Sequence, residues 1–475
     1  MEERQPYGSV TAKTLRDLAE LVGPRNVSGD PEKLAAYSHD EVPSASLPEA
    51  TLAQALVFPE STEHVSLVMA YADRHRIPVT PRGAGTGLSG GAVPACGGIL
   101  LSFEKMNRIL ELDRENLTVT VEPGVVTAEI NRAAAKHRLL YAGDPCSGDA
   151  SFIGGNVAEN AGGNKVIKYG ATGAQVLGLE AVLADGSVTW FGGKRRKDVT
   201  GYDFVHLLAG SEGTLAVITK IILRLLPLPK HTTDLLAPFG SVEEALGFVP
   251  RIVIEAGLLP ASVELLDRRA VEVAMRYLNA KLPEPDAAAH LLIQLEGNDP
   301  EVLADEVEKV GDLCLAHGAR QVYVADNRTA RDKLWKARKA VPEAIVAFHS
   351  RYAKEDVVVP TGSVPTLMVA LEEVDRAWGV EHIAYGHVGD GNMHVTLLPP
   401  EGPEGPEKLR EARHDLYRRV AALGGTLSGE HGIGLKRRDD TPLFLDEAQL
   451  ALIRRVKAAF DPKGILNPRK IVPGN

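Results

Sequence analysis

The chain has 475 residues, enough for two or three domains and a large core, so neither disulfides nor a structural metal is required for folding. Against 63 Asp plus Glu stand 53 Lys plus Arg, and the net charge of -10 excludes the global positive field of a nucleic-acid binder. Cys96, Cys146 and Cys314 are widely separated and form no CxxC pair, which suits a reducing compartment and excludes an iron-sulfur or zinc-thiolate site within the chain.

The opening MEERQPYGSV shows no signal or targeting pattern. No apolar run approaches the roughly 18 residues of a membrane span, so a soluble, cytoplasmic protein is expected, with peripheral attachment to a membrane through a partner left open. Residues 11–22 (TAKTLRDLAELV) carry apolar positions at helical spacing, and Gly23-Pro24 ends them. From residue 51 strands and helices alternate: a strand over 52–58, a helix over 62–76 and a strand over 77–80. Further strands are expected at 98–103, 117–121, 177–183, 187–191 and 214–223, which makes this half an α/β or α+β domain. The prolines of LPLPKH (226–231) read as a linker. Beyond it, helices at 242–255, 300–317, 329–348 and 364–378 alternate with strands at 290–296, 321–325, 380–385 and 393–398. They predict a second α+β domain whose sheet is covered on one face. A helix over 446–460 and an extended tail, DPKGILNPRKIVP, complete the chain.

Three glycine-rich loops stand out in the first half. PRGAGTGLSGG (81–91) follows a strand, and its glycines let backbone N–H groups converge on an anion such as a phosphate. Gly85 to Gly90 satisfies GxGxxG, but AVPACGG follows where a dinucleotide fingerprint needs a helix, so a Rossmann domain is excluded. A glycine-rich surface turn is the bland alternative. The second loop, 143–173, shows little periodicity and reads as a long functional loop, and LAGSEGTL (208–215) leads into a strand. Together they suggest a ligand approached closely by backbone on several sides.

The set PRGAGTGLSGG, IGGNVAENAGGNKVIKYGATG and LLAGSEGTLAVIT resembles the FAD-binding domain of the vanillyl-alcohol oxidase/p-cresol methylhydroxylase (PCMH) superfamily. With YGHVGDGNMH, SGEHGIG and AAFDPKGILNP added, the chain from about residue 11 onward is similar to the glycolate oxidase flavoprotein subunit and the D-lactate and D-2-hydroxyglutarate dehydrogenases. The resemblance implies an α+β fold: a two-subdomain PCMH-type FAD-binding domain (51–227, with a helical segment at 1–50), a ferredoxin-like substrate or cap domain (228–425) and a C-terminal segment (426–475) returning to the flavin. It implies that Pro81, Arg82, Gly83, Ala84, Gly85, Thr86, Gly87, Ser89 and Gly90 hold the FAD pyrophosphate. Pro145, Ser147, Gly155, Asn156, Asn160, Gly163, Tyr169 and Gly170 would line the flavin and ribityl chain, and Glu212 and Ile218 the adenosine end. The phosphate loop lacks the His or Cys used by relatives that tether FAD, so noncovalent FAD is expected.

YGHVGDGNMH carries the sharpest local chemistry. If residues 389–392 form a four-residue turn, Val388 pairs with Met393 and His387 lies directly opposite His394, close enough for both imidazoles to ligate one cation. Glu430 of SGEHGIG offers a third ligand, and a His2Glu site keeps positions open for substrate. Ordinary sheet histidines and a solvated loop acid are the alternative. The resemblance agrees with a divalent metal, zinc or manganese, at His387, His394 and Glu430, and with His431 as the base. It also points to Arg338 and Lys354 as substrate-binding residues, with surface charges as the bland reading, and Asn392 joins them in the substrate pocket.

Flavin and metal together predict oxidation of a small 2-hydroxy acid to the 2-oxo acid: the metal acidifies the α-hydroxyl, His431 takes its proton and the α-hydrogen passes to FAD. The competing readings are a metal-dependent hydrolase, which leaves the glycine loops unexplained, and a flavoprotein that only relays electrons, which needs no His2Glu set. Glycolate oxidase relatives work with separate flavin and iron-sulfur subunits, so a hetero-complex or a homo-oligomer is expected. The particular acid and the electron acceptor are not legible.

Overall fold

A computed structural model describes residues 6–42, 46, 47 and 50–474. The first five residues of MEERQPYGSV lie outside the described residues. The chain divides into two units. One comprises Met1–Gly162, Ala171–Leu228 and Glu430–Asn475, and the other Gly163–Gly170 and Pro229–Gly429.

Local chemistry accounts for the helix ends of the first unit. Thr11 forms a capping box on Ala12–Val22, and Ser61 caps Thr62–His75, which stops at Arg76 in the left-handed region. A four-stranded sheet orders Val27–Ser28, Ala55–Val57, Ile99–Ser102 and Val79–Arg82, the last three parallel. A five-stranded antiparallel sheet orders Ile109–Asp113, Thr118–Val121, Val217–Arg224, Val176–Val182 and Val188–Gly192. Each sheet has its own apolar core, around Val65, Met69 and Ile99 in one case and Ile130, Leu179 and Ile221 in the other. The segment after Arg82 contains no helix before Ile99, in keeping with the exclusion of a Rossmann domain.

The second unit is built on a seven-stranded antiparallel sheet in the order Tyr323–Ala325, His231–Phe239, Ala289–Gly297, Ser262–Asp267, Glu381–His387, Asn392–Leu398, Ala353–Val358. Its central strands are buried at consecutive positions, so both faces are covered, not one as expected. Arg268–Leu278 and Arg328–Phe348 pack together over Leu266, Ile383 and Tyr385 on one face. The strands Ser262–Asp267 and Ala353–Val358 escaped the sequence reading because Glu264 and Lys354-Glu355-Asp356 interrupt their apolar pattern. The supposed linker is also more structured than expected: Leu226–Pro227 pairs with Leu139–Leu140, and His231 already begins a strand.

Two further expectations are corrected. The stretch 143–173 contains helices Ile153–Glu159 and Val166–Tyr169, too short and too glycine-rich to show periodicity. The hairpin of YGHVGDGNMH turns over residues 388–391, so His387 pairs with Asn392 and Tyr385 with His394.

Candidate functional site

In the first unit, Arg82 is buried at the end of its strand, donating to the His39 carbonyl at 2.6 Å, and burial lowers its pKa. Asp40 anchors the glycine loop by accepting from Gly90 N at 2.8 Å, while the Ser89 carbonyl accepts from Leu435 N and Lys436 N. Two adjoining cavities open beside this loop. One of about 170 Å³ is lined by Gly83 to Leu88, Pro145, Cys146, Ser147, Gly155, Asn156, Glu159, Glu430 and His431. The other, about 80 Å³, is lined by Pro81, Arg82, Gly83, Gly155, Glu159, Glu212 and Ile218. A Cβ placed on Gly155 meets nothing within 4 Å, so a side chain there would occupy the space that both cavities share. This backbone-lined cradle fits an extended cofactor with phosphates, as FAD is.

Several side chains expected around the flavin have other partners. Asn160 ends the helix Ile153–Glu159 in the left-handed region, and its Oδ1 accepts from Gly173 N at 2.7 Å. Gly163, Tyr169 and Gly170 belong to the second unit, where the Tyr169 hydroxyl donates to Glu296, which Lys165 and Lys168 also pair at 3.1 Å each. Both Glu212 oxygens accept backbone N–H groups at 2.7 Å, from Ile433 and Gly434. Asn156 lines the cavity while donating to Thr127 Oγ1 at 2.6 Å. Glu159, unforeseen in the sequence, borders both cavities, and burial together with the negative charges of Glu212 and Asp40 pushes its carboxyl well above the ordinary value.

Glu430 and His431 are half-buried in this unit, with His431 Nε2 3.5 Å from Glu430 Oε1. The Glu430 carboxylate lies so near Gly162 that a Cβ there would come within 2.7 Å of Oε2. That close approach explains why a glycine serves at residue 162.

In the second unit the corrected register keeps the histidines on one sheet face as diagonal neighbours. Their Nε2 atoms are 3.3 Å apart. Each Nδ1 faces a fully buried carboxylate: His387 is 2.7 Å from Glu264 Oε1, and His394 is 3.5 Å from Asp356 Oδ1. Imidazoles that donate Nδ1–H to carboxylates present Nε2 lone pairs, and two such lone pairs facing each other call for a cation between them. Two ligand nitrogens at about 2.0–2.1 Å from a tetrahedral ion are themselves about 3.3–3.4 Å apart. The pair therefore has the donor chemistry and spacing of a half-built divalent metal site.

Glu264 does more than hold His387. Its Oε2 accepts from Arg338 Nε at 2.8 Å, and the guanidinium carbon lies 4.9 Å over the Tyr385 ring. Burial alone would raise the Glu264 pKa, yet its partners His387 and Arg338, both hydrogen-bonded to it, hold it down at about 2. Arg338 is thus a buried ion-pair partner, 2% exposed, and not a surface charge. Lys354 is half-buried over Tyr352, its Nζ donating to the Pro342 carbonyl at 3.3 Å. Asn392 donates to Asp356 Oδ1 at 2.7 Å and to the Val357 carbonyl at 3.1 Å. Asp356 also accepts from Ser428 Oγ and Gly429 N, which ties down the chain one residue before Glu430. Glu264 and Asp356 were missed in the sequence. The available signal was an acid inside an apolar strand, which is buried only with partners.

The family model for the C-terminal domain of FAD linked oxidases matches residues 228–471, and that for the FAD binding domain matches residues 53–192. The chain belongs to the FAD-linked oxidases, a class of flavin-dependent oxidoreductases. It is 36% identical over 464 residues to the glycolate oxidase subunit GlcD of Bacillus subtilis, covering 97% of each chain. To the D-lactate dehydrogenase of Archaeoglobus fulgidus it is 39% identical over 442 residues, 92% of this chain and 95% of that one. The structure of p-cresol methylhydroxylase with substrate bound superposes with a TM-score of 0.79 at 18% identity, covering 96% of this chain and 95% of that one, and so shares the fold.

Proposed function

We propose that this protein oxidises a small 2-hydroxy acid to the corresponding 2-oxo acid, with FAD as the immediate electron acceptor and a divalent cation at His387, His394 and Glu430. The observation that carries this reading is the convergence of the two Nε2 atoms at 3.3 Å, each imidazole backed by a buried carboxylate, in a chain of this family. A hydrolase would use such a metal set but has no use for the cradle around Gly155, and a passive electron relay has no use for the metal set.

FAD, when bound in the cradle lined by Gly83 to Gly87 and Gly155, supplies the acceptor for two electrons and the α-hydrogen. A divalent cation on the histidine pair would acidify the α-hydroxyl. The residues of the chain do the rest. His431 Nε2 removes the hydroxyl proton, and Arg338 and Lys354 supply positive charge to the substrate carboxylate. Asn392 holds Asp356 and borders the same buried face. The electrons then leave for an acceptor outside this chain, and we assign that step to further subunits, since the Bacillus relative is named as a subunit.

The test is an anaerobic titration of purified protein with glycolate, D-lactate, L-lactate and D-2-hydroxyglutarate. Bleaching of flavin absorbance near 450 nm by at least one of them is expected. Failure of every 2-hydroxy acid, in protein holding both FAD and metal, would overturn the proposal.

A further inference from the structure

We infer that Glu212 is a positioning residue for the loop that carries Glu430 and His431, and not a contact to the adenosine end of FAD. This rests on the proposed role of His431. Glu212 stands in the turn before the strand Val217–Arg224, 6% exposed, with φ of +52°. A non-glycine residue keeps that conformation only where its surroundings over-determine it. They do so here: its N–H donates to the Ala158 carbonyl at 2.7 Å, and its own carbonyl accepts from Asn467 Nδ2 at 2.8 Å.

The carboxylate then sits in a nest of two consecutive amides, Oε1 accepting from Ile433 N and Oε2 from Gly434 N, each at 2.7 Å. Those amides lie two and three residues beyond His431. The same short stretch is clasped on its far side, where the Gly434 carbonyl accepts from Ile471 N at 3.2 Å and the Ser89 carbonyl takes the amides of Leu435 and Lys436. Gly432 within it packs closely against Glu159, since a Cβ there would come within 1.9 Å of Glu159 Oε2. Both oxygens of the carboxylate accept short bonds from the loop, so the orientation of the side chain is set by these two amides. The geometry therefore links the turn of LAGSEGTL to the placement of the imidazole, and an error of about 1 Å in such a placement costs on the order of 100-fold in rate.

The experiment compares wild-type holoprotein with Glu212→Gln, whose NH2 is a donor and cannot replace the oxygen that faces one of the two backbone N–H groups. Three quantities are read: the FAD dissociation constant, the rate of flavin reduction per bound flavin at saturating 2-hydroxy acid, and hydrogen exchange at the Ile433 and Gly434 amides. Expected are FAD affinity within about threefold of wild type, reduction slowed roughly 10- to 100-fold, and exchange at both amides faster by at least about tenfold. Ile433→Pro removes one donor without altering Glu212, so it must slow reduction in the same way, and it decides the matter if Glu212→Gln does not fold. The inference is overturned if Glu212→Gln binds FAD at least about tenfold more weakly but reduces each bound flavin at the wild-type rate. Unchanged exchange at the two amides overturns it as well. That last reading needs no substrate, so it still decides if no 2-hydroxy acid reduces even the wild-type flavin.

Discussion

At the scale of single residues, the candidate chemistry depends on buried carboxylates that stand behind the two histidines. Glu264 orients His387 and Arg338 together, and Asp356 faces His394 while holding Asn392 and Gly429. Glu264→Gln keeps the size of the side chain but offers one acceptor oxygen to two cationic or polar partners. Metal affinity, read by competition with a chromogenic chelator, should fall about 10- to 100-fold, the range typical for loss of a group behind a metal-bound histidine. Thermal denaturation should show a loss of about 3–5 kcal/mol, because Arg338 is left buried without its counter-charge. His431→Gln belongs to a different class, since it leaves FAD and metal in place. Single-turnover flavin reduction should slow by about 10²- to 10⁴-fold, the usual consequence of losing a general base. A wild-type rate in that measurement would leave His431 with a structural role.

Among elements, the histidine hairpin shows how context shifts a register, and the short helix Val166–Tyr169 shows how a distant acid holds an element. The GDGN sequence marks the turn correctly, but the four-residue turn begins at Val388, not Gly389, and the register shifts accordingly. Because the shift is an even number of residues across the pair, both histidines remain on one face, and the expectation of a shared site survives a wrong pairing. Val166–Tyr169 was expected beside the flavin through its Tyr. Within the second unit the helix is held by an acid, Glu296, paired by Lys165, Lys168 and Tyr169. Burial would raise the Glu296 pKa, but Lys165, Tyr169 and Lys168 together bring it below the ordinary 4.5. A carboxylate whose folded pKa is depressed stabilises fully above its unfolded value, and that stabilisation is lost as pH falls through the folded value. Glu296→Gln should therefore lower the melting temperature at pH 6, and the gap from wild type should close as pH falls below about 4.5 through the depressed folded value. A gap that stays constant over that range would show that the charge of Glu296 is not what holds the helix.

For the molecule as a whole, the cofactor cradle lies in one unit and the histidine pair in the other, with Glu430 the one proposed metal ligand that also lines the cradle. The two groups should accordingly be separable. Dialysis against a strong chelator should abolish flavin reduction by a 2-hydroxy acid while the flavin spectrum and its protein-bound intensity persist, and zinc or manganese should restore the rate. Loss of FAD along with the metal, or full activity after stoichiometric metal is gone, would contradict that separation.

What the sequence determined by itself was everything carried by short-range chemistry. The glycine loops and the missing helix after Arg82 excluded a Rossmann domain, the motif order identified the family, and the two histidines around GDGN marked a sheet hairpin. These features depend on backbone freedom, capping and local spacing, which neighbouring residues encode directly. Only the tertiary structure decided which acids stand behind the histidines, that Arg338 Nε pairs with Glu264, that Tyr169 reaches Glu296 and that Glu212 accepts the amides of Ile433 and Gly434. Those partners are separated by 74 to 221 residues for Arg338, His387, Tyr169 and Ile433. A buried charge takes whichever counter-group the fold brings within about 3 Å, and no local pattern records that choice.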